Sequence, residues 1–209
     1  MNIEDAFYSV CENSKKIMIS CKWENKDFYG SWLAQQYFLV RHTTRLICAY
    51  SLRVPLENQE DYKSTMHHLK EEGGHDQWIL NDLNNLNLSI GNYKSLPQTS
   101  ALIQSQYYQI NYEPPVSFCG YSQFLEVLAV LVAGSLADRV DRSFGKKASV
   151  FLRGHSVVDQ EHIVYGFKAL SKINSFEKEK VIENLENCSE LYNAMLLKIN
   201  QPVARALVA

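Results

Sequence analysis

The stretch "HSVVDQEH", residues 155–162, places two imidazoles and one carboxylate at spacings of four and then three residues. In an α-helix each residue turns about 100°, so side chains at i, i+4 and i+7 lie within about 60° of one another. His155, Asp159 and His162 therefore share one stripe of a predicted helix. Neutral imidazole and carboxylate can bind iron, manganese or zinc without thiolate ligands. Alone the triplet is a weak signal, because His–Asp neighbours also occur on exposed polar helix faces.

The rest of the chain predicts an all-α fold. Only five prolines and nine glycines interrupt 209 residues, and apolar residues recur with helical periodicity. The predicted helices cover roughly residues 3–19, 28–51, 58–87, 97 to the segment "NYEPP", 115–137, 147–171 and 173–199. We expect these seven helices to form a single domain over residues 1–200, followed by a loosely ordered tail at 201–209.

Composition and charge narrow the class of protein. The sequence is 46% hydrophobic and 21% charged, which is typical of a globular domain. A formal net charge of −2 gives no electrostatic reason to expect nucleic acid or an anionic membrane as a partner. The apolar stretch "FLEVLAVLVAGSLA" is too short to span a bilayer and predicts a buried helix.

Cysteine usage and the N-terminus indicate the compartment. The five cysteines form no CxxC pair, and the N-terminal stretch lacks the positive start and apolar run of a signal peptide. We therefore expect reduced thiols in a cytoplasmic protein.

A second pair of candidate ligands lies in "EEGGHDQW", residues 71–78. Glu72 and His75 stand at i and i+3, the carboxylate–x–x–His arrangement of di-iron helical bundles. Glu71, at i−4 from His75, could take the place of Glu72, and spacing leaves both open. The two mid-helix glycines cost about 1 kcal/mol each relative to alanine, and close approach of a neighbouring helix is one reason that could compensate.

Glu126 is the third element, because its neighbours are apolar on nearly all sides of a predicted helix. An ionised carboxylate in such a setting is costly unless it is paired. Arg41 or Arg45 could pair with it. A divalent cation could instead satisfy Glu126 and the imidazoles together.

The candidate metal ligands are six side chains from three predicted helices: Glu72, His75, Glu126, His155, Asp159 and His162. Three carboxylates and three imidazoles suffice for two metal ions with open coordination positions. This sulfur-free donor set favours iron, and hence O2 activation. A zinc hydrolase would more often use fewer ligands and one ion.

With these motifs the chain resembles the heme-oxygenase-like di-iron oxidases and oxygenases, also described as iron-containing redox enzymes. In that family a carboxylate and a His on the third core helix precede a lone Glu on the fifth and H-x3-D-x2-H on the sixth. The six candidate ligands match this order, and "WLAQQYFLVRHTTRL" resembles the family's second helix. The resemblance covers roughly residues 25–175. Where the family often carries an extra carboxylate one or two turns before the third-helix His, this chain has His67 and His68.

The resemblance implies a seven-helix heme-oxygenase-like bundle shared with TenA-like and PqqC-like proteins, and a relationship to the chlamydial death-domain-associating protein. It also implies two weakly held iron ions, Fe/Fe or Fe/Mn, with O2 as co-substrate. The expected function is oxidation of a small amine- or carboxylate-bearing molecule. The alternatives are a binding or host-interaction protein on the same scaffold and a metal-free acid–base enzyme of the TenA type. We expect a small-molecule substrate, no nucleic acid and no membrane, and the amphipathic helices are compatible with a homodimer.

Overall fold

In the computed structural model, residues 2–201 are described, and they form α-helices and short 3-10 turns without strands. The α-helices in this range are α1 (Ile3–Ser20), α2 (Lys26–Val40), α3 (Thr43–Ser51), α4 (Gln59–Glu71), α5 (His75–Asn85), α6 (Pro97–Tyr112), α7 (Cys119–Phe144), α8 (Val150–Leu170) and α9 (Ser175–Ile199). The 3-10 turns are Ile90–Asn92, Pro115–Phe118 and Lys146–Ala148. The prediction of an all-α bundle is confirmed.

Two of the seven predicted helices are divided, which gives nine segments within residues 2–201. The helix predicted over 28–51 breaks at Arg41 and His42, between α2 and α3. The helix predicted over 58–87 breaks at Gly74, whose φ of 97° lies in the left-handed region. Glycine adopts that conformation without strain, and a helix cannot continue through it. The spacing predicted that Glu72 and His75 share one face of a continuous helix. That prediction is wrong, because the two residues lie on either side of the break at Gly74.

Helix α7 forms the centre of the bundle and packs against α1, α8 and α9. By length and composition alone, the segment Pro115–Phe144 is apolar enough to cross a membrane. In the folded chain, 61% of its most apolar window is buried inside the protein. Glu126 lies in the middle of this helix and is itself buried, so the fold places one carboxylate in an apolar interior.

Helix α8 is anchored to α5 through Asp82. This fully buried carboxylate accepts hydrogen bonds from the backbone N–H groups of Val150, at 3.1 Å, and Phe151, at 2.9 Å. The first N–H groups of a helix have no partner within it, so a side chain that accepts from them stabilises the helix start. Asp82 thereby fixes the start of α8 against the helix that begins at His75.

One hydrophobic cluster joins residues from Ile3 to Leu196, which is compatible with the predicted single domain. All five cysteines are free thiols, and Cys48 is exposed. Most of the predicted tail, residues 202–209, lies outside the described residues.

Candidate metal centre

The six predicted ligands converge in the interior of the bundle, where the end of α4, the start of α5 and the middle parts of α7 and α8 meet. A seventh donor, His68, joins them from the last turn of α4. The cluster consists of His68, Glu72, His75, Glu126, His155, Asp159 and His162. All are buried except His68 and His155, which are partly buried.

The first donor group is formed by Glu72, His75 and His155, whose ligand atoms all lie within 4.8 Å of one another. Oε2 of Glu72 lies 3.2 Å from Nδ1 of His75, and the two imidazole rings meet edge to face at 4.8 Å between centroids. Nδ1 of His155 lies 3.0 Å from the carbonyl oxygen of Phe151. Because a carbonyl oxygen can only accept a hydrogen bond, Nδ1 carries the proton and donates. Nε2 of His155 therefore keeps a free lone pair that could bind a metal.

The second donor group is formed by His68, Glu126 and His162, again with ligand atoms within 4.8 Å. Nε2 of His68 lies 3.3 Å from Oε1 of Glu126, and the rings of His68 and His162 lie 4.6 Å apart. The amide of Gln123 donates to Oε2 of Glu126, which leaves Oε1 facing the imidazole. Asp159 flanks this group, with Oδ1 at 3.3 Å from Nδ1 of His162.

Glu72 lies between the two groups. While its Oε2 contacts His75, its Oε1 lies 3.6 Å from Nε2 of His68 and 3.9 Å from Nδ1 of His162. One carboxylate therefore presents an oxygen to each donor group.

Burial and mutual contact shift the pKa values of the cluster in opposite directions. Burial raises the pKa of Glu126 to about 8. Burial also raises the pKa of Glu72, but its contacts with His68 and His75 outweigh this and hold it well below its usual range. For His162 burial lowers the pKa, whereas Asp159 and Glu126 raise it to about 9 overall. Without a metal the cluster therefore retains protons at neutral pH, and a bound cation would replace them.

Whether these residues fit a cation can be judged from three buried atoms that could act as metal ligands. His75 Nδ1, Asp159 Oδ1 and His162 Nδ1 lie close to other donors but make no hydrogen bond of acceptable geometry. Buried polar atoms normally find a hydrogen-bond partner. Atoms that converge without one fit a shared divalent cation, and the nitrogen and oxygen donors suit iron or manganese.

The structure separates the alternatives that spacing left open. Glu72 is 8% exposed and lies inside the cluster, whereas the side chain of Glu71 is 37% exposed and lies behind His162. Arg41 and Arg45 are exposed at the surface, and the contacts of Glu126 are instead with Gln123 and His68. Metal binding by the six predicted residues remains a prediction.

Sequence reasoning did not place His68 and Trp78 at the site. His68 precedes Glu72 by four residues and so shares its helix face, a signal that the sequence does contain. The ring of Trp78 stacks on His75, with centroids 4.0 Å apart, and meets His155 edge to face at 5.7 Å. It fits because residue 154 is glycine, where an added Cβ would lie 2.5 Å from the indole ring.

Cavities lie on two sides of the cluster. The inner cavity, of about 100 Å³, has cluster residues on one wall and mostly apolar side chains on the other, including Leu128, Val132 and Phe151. The outer cavity, of about 80 Å³, borders His68, Glu126 and His162. It shares lining residues with a surface groove of about 570 Å³, among them Tyr50, Asp61, His67, Cys119 and Tyr165. The outer cavity is therefore adjacent to the groove.

An all-α bundle with an internal histidine–carboxylate cluster defines a class of metal-dependent helical proteins. Residues 31–193 match the family of iron-containing redox enzymes, and the chain belongs to that family. The family description supports an enzyme that uses iron. No curated protein matches the chain.

Solved structures with the same fold include a domain of unknown function with a heme oxygenase-like fold from Shewanella denitrificans OS217. It superposes with a TM-score of 0.83 at 18% identity, over 95% of this chain and 92% of that one. A TenA homologue from Pseudomonas syringae pv. tomato gives 0.79 at 9% identity, over 95% and 92% of the chains. A TenA homologue from Pyrococcus furiosus gives 0.78 at 13% identity, over 96% and 100%. At these identities the similarity shows the fold, which is heme-oxygenase-like as predicted.

Proposed function

We propose that this protein is an O2-activating non-heme di-iron oxidase or oxygenase that acts on a small amine- or carboxylate-bearing organic molecule. One observation carries the proposal: two donor groups face each other across a single carboxylate, Glu72. The family description supports iron as the metal. A carboxylate with one oxygen toward each group is suited to hold two cations close together.

When bound, a pair of ferrous ions would supply electrons and open coordination positions for the reduction of O2. The histidine side chains of the first group are held in metal-binding orientations in the metal-free protein. The bond from His155 Nδ1 to the Phe151 carbonyl fixes the ring with Nε2 free, and Trp78 stacks on the ring of His75. Such partners commonly set the orientation of metal-binding histidines.

The second group is oriented by hydrogen bonding to its carboxylate. Gln123 occupies one oxygen of Glu126, so the other remains directed at His68. Protons held on His68, Glu126 and His162 would leave when a cation binds, because metal ligands must be deprotonated.

The inner cavity is suited to the apolar part of a substrate, because apolar side chains form most of its wall and exclude water. Besides the cluster residues, its lining includes the polar side chains of Gln36 and Tyr192. The amide of Gln36 donates to the hydroxyl of Tyr192 at 3.2 Å. These groups offer hydrogen bonds to one polar end of a substrate whose apolar part approaches the metals.

A second candidate function is metal-free acid–base chemistry of the TenA type, and one observation favours it. Burial raises the pKa of Glu126 to about 8, so the metal-free protein holds a carboxylic acid beside the imidazole of His68. A carboxyl group and an imidazole 3.3 Å apart, both able to hold and release a proton, form the kind of pair that general acid–base catalysis uses.

Anaerobic reconstitution with ferrous iron, followed by exposure to O2, separates the two functions. The di-iron proposal predicts two irons per chain and an O2-dependent transient absorption in the visible range. The double variant Glu126→Ala/His155→Ala should lose iron, and His67→Ala, a histidine whose side chain is 58% exposed, should retain it. Absence of iron uptake, or uptake equal in the double variant, contradicts the proposal. An acid–base activity would instead survive treatment with a chelator.

A further inference from the structure

We infer that Glu71 is a positioning residue that orients His162, so that Nδ1 of the imidazole, and not Nε2, faces the metal cluster. The inference rests on the proposed metal centre. Oε2 of Glu71 lies 3.1 Å from Nε2 of His162, within hydrogen-bond geometry. An ionised carboxylate can only accept, so Nε2 is the donor and carries the proton.

The other ring nitrogen faces the opposite way. Nδ1 of His162 is buried without a hydrogen bond, and it lies 3.3 Å from Oδ1 of Asp159 and 3.9 Å from Oε1 of Glu72. A ring flip would replace both nitrogens by carbons at these positions. It would break the bond to Glu71 and withdraw a donor from the cluster. The Glu71 bond therefore selects one ring orientation and, once a metal is bound, one tautomer.

Glu71 is placed for this task and not for metal binding. Its carboxylate lies on the far side of the imidazole ring, and its second oxygen contacts Nε2 of the exposed His67 at 3.3 Å. It is the last residue of α4, adjacent to Glu72. The two consecutive carboxylates therefore have different roles: Glu72 lies in the cluster, and Glu71 orients one of its histidines from outside.

The two donor groups differ in how their histidines are held. His155 donates to a backbone carbonyl, a partner that no substitution removes. His162 depends on a side chain. A metal-binding His commonly donates its other N–H to a carboxylate, and loss of that partner typically costs 10–100-fold in metal affinity. Substitution of Glu71, outside the cluster, should therefore change the metal affinity of the second group.

The test uses zinc as a diamagnetic probe, with zinc affinity and the ring nitrogen signals of His162 as readouts. In the wild type we expect zinc bound to Nδ1 of His162 and a slowly exchanging proton on its Nε2. The proton signal is assigned by its absence in His162→Gln. Glu71→Ala should lose this proton signal, populate a second ring state and bind zinc about 10–100-fold more weakly. Glu71→Gln keeps an accepting oxygen, so it should retain the wild-type signature and most of the affinity.

The matched control is Glu161→Ala, which removes an exposed carboxylate next in sequence to His162. This carboxylate accepts a hydrogen bond from the hydroxyl of Tyr165. The inference would be overturned if zinc affinity fell equally in Glu71→Ala, Glu71→Gln and Glu161→Ala. Such a result would mean that only the negative charge near the site affects zinc binding. An unchanged Nε2 proton signal in Glu71→Ala would also overturn it. The same signal is measured in the metal-free protein, where it tests the Glu71–His162 bond even if the proposed metal centre fails.

Discussion

Nδ1 of His75 lies 3.2 Å from Oε2 of Glu72 across a turn of two glycines. The contact depends on the left-handed backbone of Gly74, which ends one helix and lets the next begin with a buried imidazole. Here the break in the helix, and not helical periodicity, brings a carboxylate and a histidine together.

Substitution of Gly74 by alanine should therefore disturb both stability and the site. Space is open around the position, so the cost is backbone strain, about 1–2 kcal/mol for a residue with Cβ in the left-handed region. Urea denaturation should show this loss, and cobalt titration should show weaker binding because His75 is displaced. Gly73→Ala is the control, since that residue has no positive φ, although its added Cβ would lie 3.3 Å from the carbonyl oxygen of Lys70. An equal effect of the two substitutions would contradict the role of the Gly74 conformation.

His68 and His67 are adjacent on α4 but differ in their surroundings. His68 contacts Glu72 and Glu126 inside the cluster, whereas the side chain of His67 is 58% exposed. We expect His68→Ala to lower the iron bound per chain from two toward one, because the second donor group loses an imidazole. His67→Ala should bind as much iron as the wild type. Metal analysis after anaerobic loading measures both, and full iron content in His68→Ala would exclude His68 as a ligand.

Gly154 is required by the close approach of Trp78. An added Cβ would lie 2.5 Å from the indole ring, so Gly154→Ala should move Trp78 away from His75 and cost about 1–3 kcal/mol, as overpacking typically does. Gly134→Ala is the matched control, because its Cβ would make only an ordinary contact at 3.8 Å with Ser156. Alanine is the better helix former, so Gly134→Ala should be neutral or stabilising. Thermal unfolding distinguishes the two, and a Gly154→Ala protein as stable as the wild type would contradict the packing.

Asp82 should make stability depend on pH. Burial raises its pKa from 3.8 to about 7, although the N–H groups of Phe151 and Val150 lower it. As pH rises, Asp82 loses its proton at a lower pH in the unfolded chain than in the folded protein. Its contribution to the free energy of unfolding therefore falls between about pH 4 and pH 7 and does not change above pH 7. Asparagine does not titrate.

The stability of Asp82→Asn relative to the wild type should therefore increase across that interval, as measured by urea denaturation at several pH values. A relative stability of Asp82→Asn that decreases with pH would be the opposite sign and would contradict the raised pKa.

The all-α architecture could be predicted from the sequence because helical periodicity is a local property. The spacing of His155, Asp159 and His162 likewise holds within one unbroken helix, α8. The choice between Glu71 and Glu72 could not be predicted, because it depends on where α4 ends and how the Gly74 turn redirects the chain. The i, i+4 spacing of His68 and Glu72 predicts that they share a face of α4, but which face turns inward depends on contacts with α7 and α8 that are distant in sequence.

Mössbauer and electron paramagnetic resonance spectra of protein loaded anaerobically with ⁵⁷Fe and then oxidised by air test most directly whether two iron ions share Glu72. Two ions that share Glu72 should interact magnetically. We expect about two irons per chain in a coupled ferric pair that gives no paramagnetic resonance signal. One iron per chain with the signal of an isolated high-spin ferric ion would contradict it.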